Sequence, residues 1–319
     1  MRALRVADFN QTPRIDHIPA PNPSSAQVRI SVRACGLNFA DLLMQNGTYQ
    51  DTPNPPFTLG MEVSGDIDAV GDAVTEFAVG DRVAAFLGHG GLADHAVCDP
   101  QRVTKIPISM SYEHAAVFQI AYGTSHVALV HRGNLKADEN LVVFGAAGGV
   151  GLAAVEIGAA VGANVIAVAR GDEKLALAHA SGANILIDAS HKNLRQEIKK
   201  VGGADVVYDP VGGAFFDAAL TACRPEARII VIGFASGNVP RIMANHLLVK
   251  NIDVMGFYWG GYLKFRPEII RDSLAMLSQW YMDGKIRPHI GHHISFAATN
   301  DGYDLLRERR STGKVVVTI

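Results

Sequence analysis

The sequence predicts an α/β protein in which a mainly-β domain is joined to a doubly wound parallel sheet. Two observations carry this prediction. The first third of the chain is broken by frequent Pro and Gly residues, with short β-branched runs between them, a pattern typical of a compact, largely β domain. The middle third alternates apolar runs of strand length with helix-like stretches, which indicates parallel strands covered by helices on both faces.

Length and composition fit a folded chain of two domains. The chain has 319 residues, of which 48% are hydrophobic and 19% charged, which is enough apolar material for sizeable cores. The net charge of −2 argues against nucleic acid or an anionic membrane as the main partner. There is no run of 18 apolar residues and no apolar stretch of the kind a secretory signal needs. Three scattered cysteines fit a reducing compartment, so we expect a cytoplasmic protein without membrane insertion.

The first region carries four strand-like runs and one helix. Tight turns are predicted at its Pro and Gly residues. The helix is predicted to begin near Asn38. The strands are predicted over residues 28–32, 63–70, 82–86 and 93–97.

The middle region carries six apolar runs that recur about every 20 residues. Strands of this kind, separated by helices, are typical of a doubly wound parallel sheet. The alternation stops near residue 265, a helix is predicted over 266–283, and the strand-like tail KVVVTI is free to rejoin the first domain. The six predicted strands cover residues 141–145, 164–169, 185–188, 205–209, 228–233 and 252–257.

The strongest motif is a glycine-rich turn between a predicted strand and a predicted helix. Ala146-x-Gly148-x-x-Gly151 matches the dinucleotide fingerprint, with Ala in the first glycine position. Gly148 lets the backbone approach a pyrophosphate, Gly151 permits close packing of helix on strand, and the helix N-terminus offers free N–H groups. The alternative is a turn that merely joins two buried elements. The predicted cofactor contacts here are Ala146, Ala147, Gly148, Gly149 and Val150.

The end of the second strand of this sheet predicts which dinucleotide is bound. NAD enzymes usually place an acid there, which accepts from the ribose 2′-hydroxyl. This chain has Arg170, with Lys174 one turn later, and both can pair with a 2′-phosphate. Asp172 and Glu173 lie between them and would repel that phosphate if they pointed inward. The sequence therefore favours NADPH, the alternative being that Arg170 and Lys174 are surface charges.

Several segments, taken with this fingerprint, resemble the medium-chain dehydrogenase/reductase superfamily. The similarity is closest to its NADPH:quinone oxidoreductase branch, the zeta-crystallin-like enzymes, and extends over essentially the whole chain. The segments are ACGLNFADLLMQNGTY (34–49), PFTLGMEVSGDI (56–67), VGDRV (79–83), DPVGG (209–213) and GKVVV (313–317).

The resemblance implies two domains and the absence of a catalytic metal. It implies a GroES-like catalytic domain over residues 1–120, completed by 266–319, and a Rossmann domain over 121–265. Zinc alcohol dehydrogenases of the superfamily carry metal ligands where this chain has Asn38 and Met61. Amide and thioether are poor zinc ligands, so alcohol oxidation is disfavoured. Reduction of a quinone or of an α,β-unsaturated carbonyl is favoured instead.

Three residues are predicted to act on the reacting groups. Asn38 resembles a family asparagine beside the nicotinamide, where its amide would hydrogen-bond the ring or an acceptor oxygen; the alternative is a helix N-cap. Tyr49 resembles a tyrosine near the substrate pocket that stacks on a flat acceptor or donates to its oxygen; the alternative is an ordinary loop tyrosine. Thr124 resembles a threonine close to the nicotinamide, with helix packing as the alternative. Asp41, near the same loop, is expected to be structural.

Further cofactor contacts are predicted from the later loops. The stretch after the sixth strand either lines the cofactor cleft or, as often in the family, pairs between subunits of a homodimer. The family position that often holds a tyrosine against the 2′-phosphate is Ala189 here. The predicted contacts are Gly233, Phe234, Ala235, Phe257, Tyr258 and Lys314.

Taken together, the sequence predicts an NADPH-dependent, zinc-independent reductase of a small-molecule quinone or enone. One alternative is an enoyl-CoA reductase of the same branch, for which Lys264, Arg266 and Arg271 are candidate contacts to the CoA phosphates. Another is a non-catalytic NADPH-binding protein with a structural or regulatory role.

Overall fold

The computed structural model describes residues 1–190 and 193–319. The chain forms two compact units. The first comprises Met1–Ile120 and Pro288–Ile319, and the second comprises Ala121–Arg287. No helix in the described parts of the chain is both long and apolar enough to cross a membrane.

The first 126 residues contribute eight strands and three helices. The last helix, α3, continues as a π-helical turn over Val127–Arg132. The elements are β1 (Arg2–Val6), β2 (Arg14–His17), β3 (Val28–Leu37), α1 (Phe39–Gln45), β4 (Phe57–Thr58), β5 (Glu62–Val70), β6 (Arg82–Phe86), β7 (His95–Cys98), β8 (Val103–Lys105), α2 (Tyr112–Ala116) and α3 (Phe118–His126).

The second unit then alternates strands and helices, as its sequence pattern predicts. The elements are β9 (Asn140–Phe144), α4 (Gly149–Val161), β10 (Asn164–Ala169), α5 (Asp172–Ala180), β11 (Ile185–Asp188), α6 (Leu194–Lys200), β12 (Ala204–Asp209), α7 (Ala214–Ala222), β13 (Cys223–Val231), α8 (Ala244–Lys250), β14 (Asp253–Gly256), α9 (Trp259–Phe265) and α10 (Pro267–Met282). The chain returns to the first unit with β15 (Ile290–Ser295), α11 (Thr299–Arg307) and β16 (Lys314–Thr318).

The first unit is built on two sheets. The larger has the order β15-β16-β3-β5-β6-β8, with β7 also paired to β3, and the smaller has the order β2-β1-β4. The C-terminal strand β16 runs antiparallel to β3, with Val315 opposite Leu37. The predicted return of the KVVVTI tail is therefore confirmed, and the pairing carries Lys314 to the start of α1.

The second unit is a single parallel sheet of six strands in the order β11-β10-β9-β12-β13-β14. All side chains of β9 are buried, as expected for a strand covered by helices on both faces. The strand order reverses between β9 and β12, which is the topological switch point where ligands bind in sheets of this type. The predicted doubly wound sheet is confirmed.

The chain returns to the first unit later than residue 266, the position that the sequence resemblance implied. The crossing lies at Pro288, because α10 packs on the second unit. Ser273 Oγ lies 2.9 Å from Nδ1 of His126, and the Trp280 ring meets the His126 ring edge-on at 5.3 Å. Periodicity predicts the helix itself but not the unit on which it packs.

Candidate active site

The glycine-rich turn between β9 and α4 has the geometry of a dinucleotide site. Gly145 adopts a φ of +59°, a conformation that favours glycine. A Cβ on Gly151 would lie 2.1 Å from the Gly145 carbonyl oxygen, so only glycine allows this close approach of helix to turn. Gly148 is the N-cap of α4 and no side chain caps the helix, which leaves N–H groups available for an anion. These features fit a pyrophosphate.

The predicted residues of this turn differ in exposure. The side chains of Ala146 and Ala147 are buried against the sheet, whereas Gly148, Gly149 and Val150 are half-exposed at the helix start. The Gly148 N–H already donates to the Gly145 carbonyl oxygen at 2.9 Å, so the N–H groups of Gly149 and Val150, in the first turn of α4, are the ones available to a ligand.

A buried hydroxyl pair holds α3 against this turn. Ser125 Oγ donates to the Val150 carbonyl oxygen at 3.0 Å and lies 2.8 Å from the Tyr208 hydroxyl. Thr124, next in the chain to Ser125, is itself buried in α3. The predicted site residue Thr124 therefore lies beside a network that fixes the start of α4. Ser125 and Tyr208 are not identifiable as site residues from the sequence, because an isolated hydroxyl residue in a helix or strand carries no recognisable motif.

Arg170 lies where the sequence analysis expects a 2′-phosphate contact. It is exposed immediately after β10, and Lys174 is half-buried in the first turns of α5. Asp172 and Glu173, between them, are both exposed. The Ala189 N–H donates to the Ala169 carbonyl oxygen at 2.8 Å, and its side chain packs against the core of the sheet. The end of β10 thus offers cations and no buried acid.

The loops after β12 and β13 are joined at the carboxyl edge of the sheet. Asp209 Oδ1 accepts from the N–H groups of Val211 and Gly212, each at 2.9 Å. The Ala235 N–H in turn donates to the Pro210 carbonyl oxygen at 3.0 Å. Burial raises the pKa of Asp209, and these N–H groups lower it. The structure thus fixes the loop that contains the predicted contacts Gly233, Phe234 and Ala235, and Phe234 is 40% exposed.

The aromatic stretch after β14 divides into buried and exposed members. Trp259 is buried, and a Cβ on Gly123 would lie 2.8 Å from its indole nitrogen, so this ring packs closely on α3. The Phe257 ring lies 5.6 Å from the Tyr262 ring. Tyr258 is 37% exposed. Of the two predicted contacts here, Phe257 therefore packs within the unit, and Tyr258 is the more accessible.

A buried ionic cluster lies at the start of α1 in the first unit. The Lys314 ammonium donates to the Leu37 carbonyl oxygen at 2.9 Å, to Asn38 Oδ1 at 2.7 Å and to Glu62 Oε1 at 2.9 Å. The side chains of Lys314 and Glu62 are only 7% and 1% exposed. All three ammonium hydrogens therefore have acceptors inside the unit, and a direct cofactor contact by this group, as the sequence analysis expected, would have to displace one of them.

Asn38 is the N-cap of α1, but its amide is engaged elsewhere. Its Nδ2 donates to the Gly36 carbonyl oxygen at 3.2 Å and to Glu62 Oε1 at 3.0 Å. A capping side chain would accept a hydrogen bond from the Asp41 N–H. Here this N–H donates instead to the Asn38 backbone carbonyl oxygen at 3.0 Å. The expectation that this amide donates to an acceptor oxygen does not fit these bonds, because both amide hydrogens are already used. Asn38 therefore occupies the N-cap position, as the alternative expected, while its amide hydrogens bond to Gly36 and Glu62.

Asp41 also stabilises the start of α1. Its Oδ2 accepts from the Asn38 backbone N–H at 2.8 Å. The pKa of Asp41 is raised to about 7, mainly by burial and to a lesser extent by Glu62, against the lowering effects of the Asn38 N–H and of Lys314. The buried Tyr303 hydroxyl faces this carboxyl group, and burial together with Asp41 raises the pKa of Tyr303. This placement agrees with the structural role expected for Asp41.

Tyr49 is half-buried in the turn after α1. Its carbonyl oxygen accepts from the Thr52 hydroxyl at 2.6 Å and from the Thr52 N–H at 3.2 Å. These bonds hold the backbone of the turn in place.

The donor set of the first unit does not fit zinc. Asn38 and Met61 stand at the two implied ligand positions, and the oxygens of Asn38 and Glu62 already coordinate the Lys314 ammonium. Residues 1–190 and 193–319 contain no group of three His, Cys, Asp or Glu side chains that could hold a metal ion. A positive charge is nevertheless present, carried by the lysine.

Glu62 is the main residue of this cluster that sequence analysis did not assign. Besides Lys314 and Asn38, its carboxylate binds the Ile120 N–H through Oε2 at 2.9 Å. The signal available in the sequence was an acid between the apolar residues Met61 and Val63 at the start of a strand. A buried acid of this kind needs partners, but the sequence does not show that they come from residues 38, 120 and 314.

Comparison with known proteins agrees with both units. The family model "Alcohol dehydrogenase GroES-like domain" matches residues 24–108, and the model "Zinc-binding dehydrogenase" matches residues 149–279. Quinone oxidoreductase-like protein 2 of Bos taurus is 37% identical over all of this chain and 92% of its own length. Its homolog from Nematostella vectensis is 39% identical over 95% of this chain and 84% of its own length.

A solved structure gives the same result in three dimensions. The quinone oxidoreductase of Thermus thermophilus, also solved in complex with NADPH, is 30% identical, with full coverage of both chains and a TM-score of 0.88. Its similarity extends over both units, and the curated relatives cover nearly the whole chain. The chain therefore belongs to the medium-chain dehydrogenase/reductase superfamily, in the quinone oxidoreductase branch of this family of oxidoreductases.

Proposed function

We propose that this chain is an NADPH-dependent, zinc-independent reductase that transfers hydride to a quinone or to an α,β-unsaturated carbonyl. The observation that carries the proposal is the β9–α4 turn, with Arg170 at the end of the neighbouring strand β10. It combines an anion site at a helix N-terminus with an exposed guanidinium in the place of the acid that selects NAD. The NADPH complex of the Thermus thermophilus enzyme supports the same cofactor.

The residues have distinct roles in this proposal. The N–H groups of Gly149 and Val150 bind the pyrophosphate, Gly148 lets the backbone approach it, and Arg170 with Lys174 pairs with the 2′-phosphate. When bound, NADPH supplies a hydride from its nicotinamide. We propose that Thr124, Gly233, Phe234, Ala235, Phe257 and Tyr258 complete the cofactor contacts.

We propose that the remaining site residues act on the acceptor side. Tyr49 stacks on a flat acceptor, and Asn38 lies beside the reacting groups. The oxygen that gains charge takes its proton from solvent. Because the donor set does not fit zinc, no step depends on a metal, and rate enhancement comes from positioning and electrostatics.

The test is a screen of NADPH and NADH oxidation against simple quinones, enones and enoyl-CoA thioesters. We expect turnover with NADPH and a quinone or enone, and a lower kcat/KM with NADH. Turnover confined to enoyl-CoA would replace this proposal with the thioester alternative. NADPH binding without turnover of any acceptor would support the non-catalytic alternative.

The structure offers little for the thioester alternative. Its basic entrance would need free cations on α9 and α10. Arg266 pairs with Glu268 at 2.9 Å, and Arg271 lies 3.5 Å from Asp272. These pairs reduce the positive field that CoA phosphates would require.

We further propose that the chain forms a homodimer through the β14 edge of the second unit. No strand among the described residues pairs with the outer side of β14. The neighbouring segment exposes apolar side chains, with Leu248 77%, Val249 76% and Val239 69% exposed. An unpaired edge beside apolar surface is a site for association with another chain.

Sedimentation velocity of matched variants tests this assembly. We expect Leu248→Glu to convert a wild-type dimer to monomer. Ile108→Glu is the control, because Ile108 is 92% exposed in the first unit, and it should leave the dimer intact. A monomeric wild type, or equal behaviour of both variants, would refute this interface. The cytoplasmic location stays a prediction that fractionation of cells would test.

A further inference from the structure

We propose that Lys314 and Glu62 are positioning residues that hold the Asn38 amide in one orientation, so that Asn38 offers a ligand only a hydrogen-bond acceptor. The inference deepens the proposed function and rests on it for the identity of the ligand. Its structural part, the fixed amide, concerns only the first unit and stands independently of any activity.

The orientation of the amide follows from what its two partners are able to do. A lysine ammonium has donors and no acceptor, and a carboxylate has acceptors and no donor. Lys314 lies 2.7 Å from Oδ1 and Glu62 lies 3.0 Å from Nδ2 of Asn38. Exchanging the two amide atoms would set an NH2 group against an ammonium and a carbonyl against a carboxylate. The ion pair therefore selects one orientation.

Most of the hydrogen-bonding capacity of the Asn38 amide is used within the cluster. Its two Nδ2 hydrogens are used by the Gly36 carbonyl oxygen and by Glu62. Its Oδ1 has two lone pairs, of which Lys314 uses one. The Asp41 N–H faces Asn38 in a capping-box arrangement but donates to the Asn38 backbone carbonyl oxygen at 3.0 Å. One acceptor position of Oδ1 is therefore left, on a residue that is 9% exposed.

Rearrangement of this cluster would require breaking several buried hydrogen bonds. Glu62 is also bound by the Ile120 N–H, and Lys314 by the Leu37 carbonyl oxygen, so both ends of the ion pair are tied to the backbone. Removing one partner of a buried pair leaves the other charge uncompensated. The amide orientation is therefore set when the unit folds, before any ligand binds.

The chemical consequence is a restriction on the group that faces Asn38. That group must carry an N–H or O–H donor, such as a carboxamide or hydroxyl of the cofactor or the substrate. A developing oxyanion would meet a carbonyl lone pair and be repelled. Asn38 therefore positions a neutral donor, and stabilisation of negative charge falls to other groups.

An exchange of the amide and the carboxylate tests this directly. In the double variant Asn38→Asp/Glu62→Gln, the net charge is unchanged and Lys314 can pair with the carboxylate now at position 38. The amide now at position 62 can donate to that carboxylate while accepting from the Ile120 N–H. Position 38 then carries an acceptor only. We expect this variant to keep turnover with NADPH and a quinone within about tenfold of wild type, whereas Asn38→Ala loses about 10- to 100-fold, as for loss of a charge-assisted network.

The same pair of variants yields the opposite result if Asn38 acts as a donor. The exchanged variant would then be as impaired in kcat as Asn38→Ala, and the proposal would be overturned. Circular dichroism and thermal unfolding identify a variant that fails to fold. In that case, the single substitutions at Lys314 provide the test.

Lys314→Met and Lys314→Arg separate orientation from packing. Arg retains a cation that donates to Asn38, whereas Met removes it and keeps a similar apolar stem. We expect kcat to fall in Lys314→Met and to recover in Lys314→Arg, with KM for the quinone little changed. Equal kcat in Met and wild type would overturn the positioning role.

A spectroscopic readout without cofactor tests the amide itself. In protein labelled with nitrogen-15 at asparagine, the Asn38 side-chain signals are assigned by their loss in Asn38→Ala. We expect their exchange with solvent to quicken by about tenfold or more in Lys314→Met, because the amide is no longer locked. Unchanged exchange would refute the lock. A locked amide in a protein without NADPH oxidation would refute the proposed function instead.

Discussion

At the scale of single residues, we predict that cofactor choice depends on the exposed guanidinium of Arg170 after β10. Replacing Arg170 by Ala is expected to weaken NADPH binding by about 1.5–3 kcal/mol, because a charge-assisted bond to the 2′-phosphate is lost. NADH has no such phosphate, so its binding should change little. Titration of the intrinsic protein fluorescence with each cofactor measures both effects. Equal weakening of the two would show that Arg170 does not contact the 2′-phosphate.

Tyr49 is the second residue whose role single substitutions decide. If its ring stacks on a flat acceptor, Tyr49→Phe leaves turnover nearly unchanged and Tyr49→Ala raises KM. We expect this result, because a quinone is electrophilic enough to need only modest activation. Steady-state kinetics of both variants provide the measurement. A matching loss of kcat in Phe and Ala variants, with KM unchanged, would assign proton donation to Tyr49 instead.

The sequence predicts the position of a residue best where its strand and turn are themselves predictable. Arg170 is exposed at a strand end, where an acid would have indicated NAD, and its contact with the 2′-phosphate stays a prediction. The surroundings of Lys314, in contrast, are not visible in the sequence. The GKVVV motif indicated a cofactor contact, but the ammonium is buried among three acceptors. These acceptors come from residues 37, 38 and 62, and one sequence gives no means of pairing them with residue 314.

At the scale of elements, the start of α1 is coupled to pH through Asp41. Burial raises the pKa of this carboxyl group in the folded protein to about 7, from 3.8. Between these values the folded state holds a proton that the unfolded state has released, so Asp41 makes stability fall as pH rises from about 4 to 7. We expect the advantage of wild type over Asp41→Asn, measured by urea unfolding, to shrink over this range.

Asp81, a partly exposed acid of the same unit, provides the control for that measurement. The pKa of Asp81 is lowered by its hydrogen bond from Lys105, so Asp81 is ionised in both states over the upper part of this range. The difference between wild type and Asp81→Asn should therefore be flat there. A flat difference for Asp41→Asn as well would show that Asp41 is ionised in the folded protein.

Elements themselves are predictable from this sequence where apolar runs of strand length alternate with helices. The six apolar runs of the second unit all form strands of one parallel sheet, and the central strands β9 and β12 are almost wholly buried, as expected for strands covered on both faces. The helix after residue 265 was also found, but its packing partner was not. Its contacts with α3 depend on His126, Ser273 and Trp280. His126 lies far from the other two in the chain, so the periodicity of α10 does not identify it as their partner.

At the scale of the whole molecule, metal independence is the most decisive expectation. In the first unit, a lysine ammonium is bound by the Asn38 and Glu62 oxygens, and Met61 is buried nearby with a thioether that zinc binds poorly. A second cation at the same oxygens would be repelled by Lys314, and the neutral amide would add little to its binding.

We therefore expect activity with NADPH and a quinone to survive prolonged dialysis against a chelator. Metal analysis of the purified protein should find far less than one zinc per chain. Lys314→Met is the informative partner variant, because it removes the internal cation while leaving Glu62 in place. If zinc rescued that variant, the lysine charge would be shown to occupy the place of a metal. Loss of wild-type turnover on chelation, restored by zinc alone, would instead require a metal-dependent mechanism and would contradict the assignment of Lys314 as the resident cation.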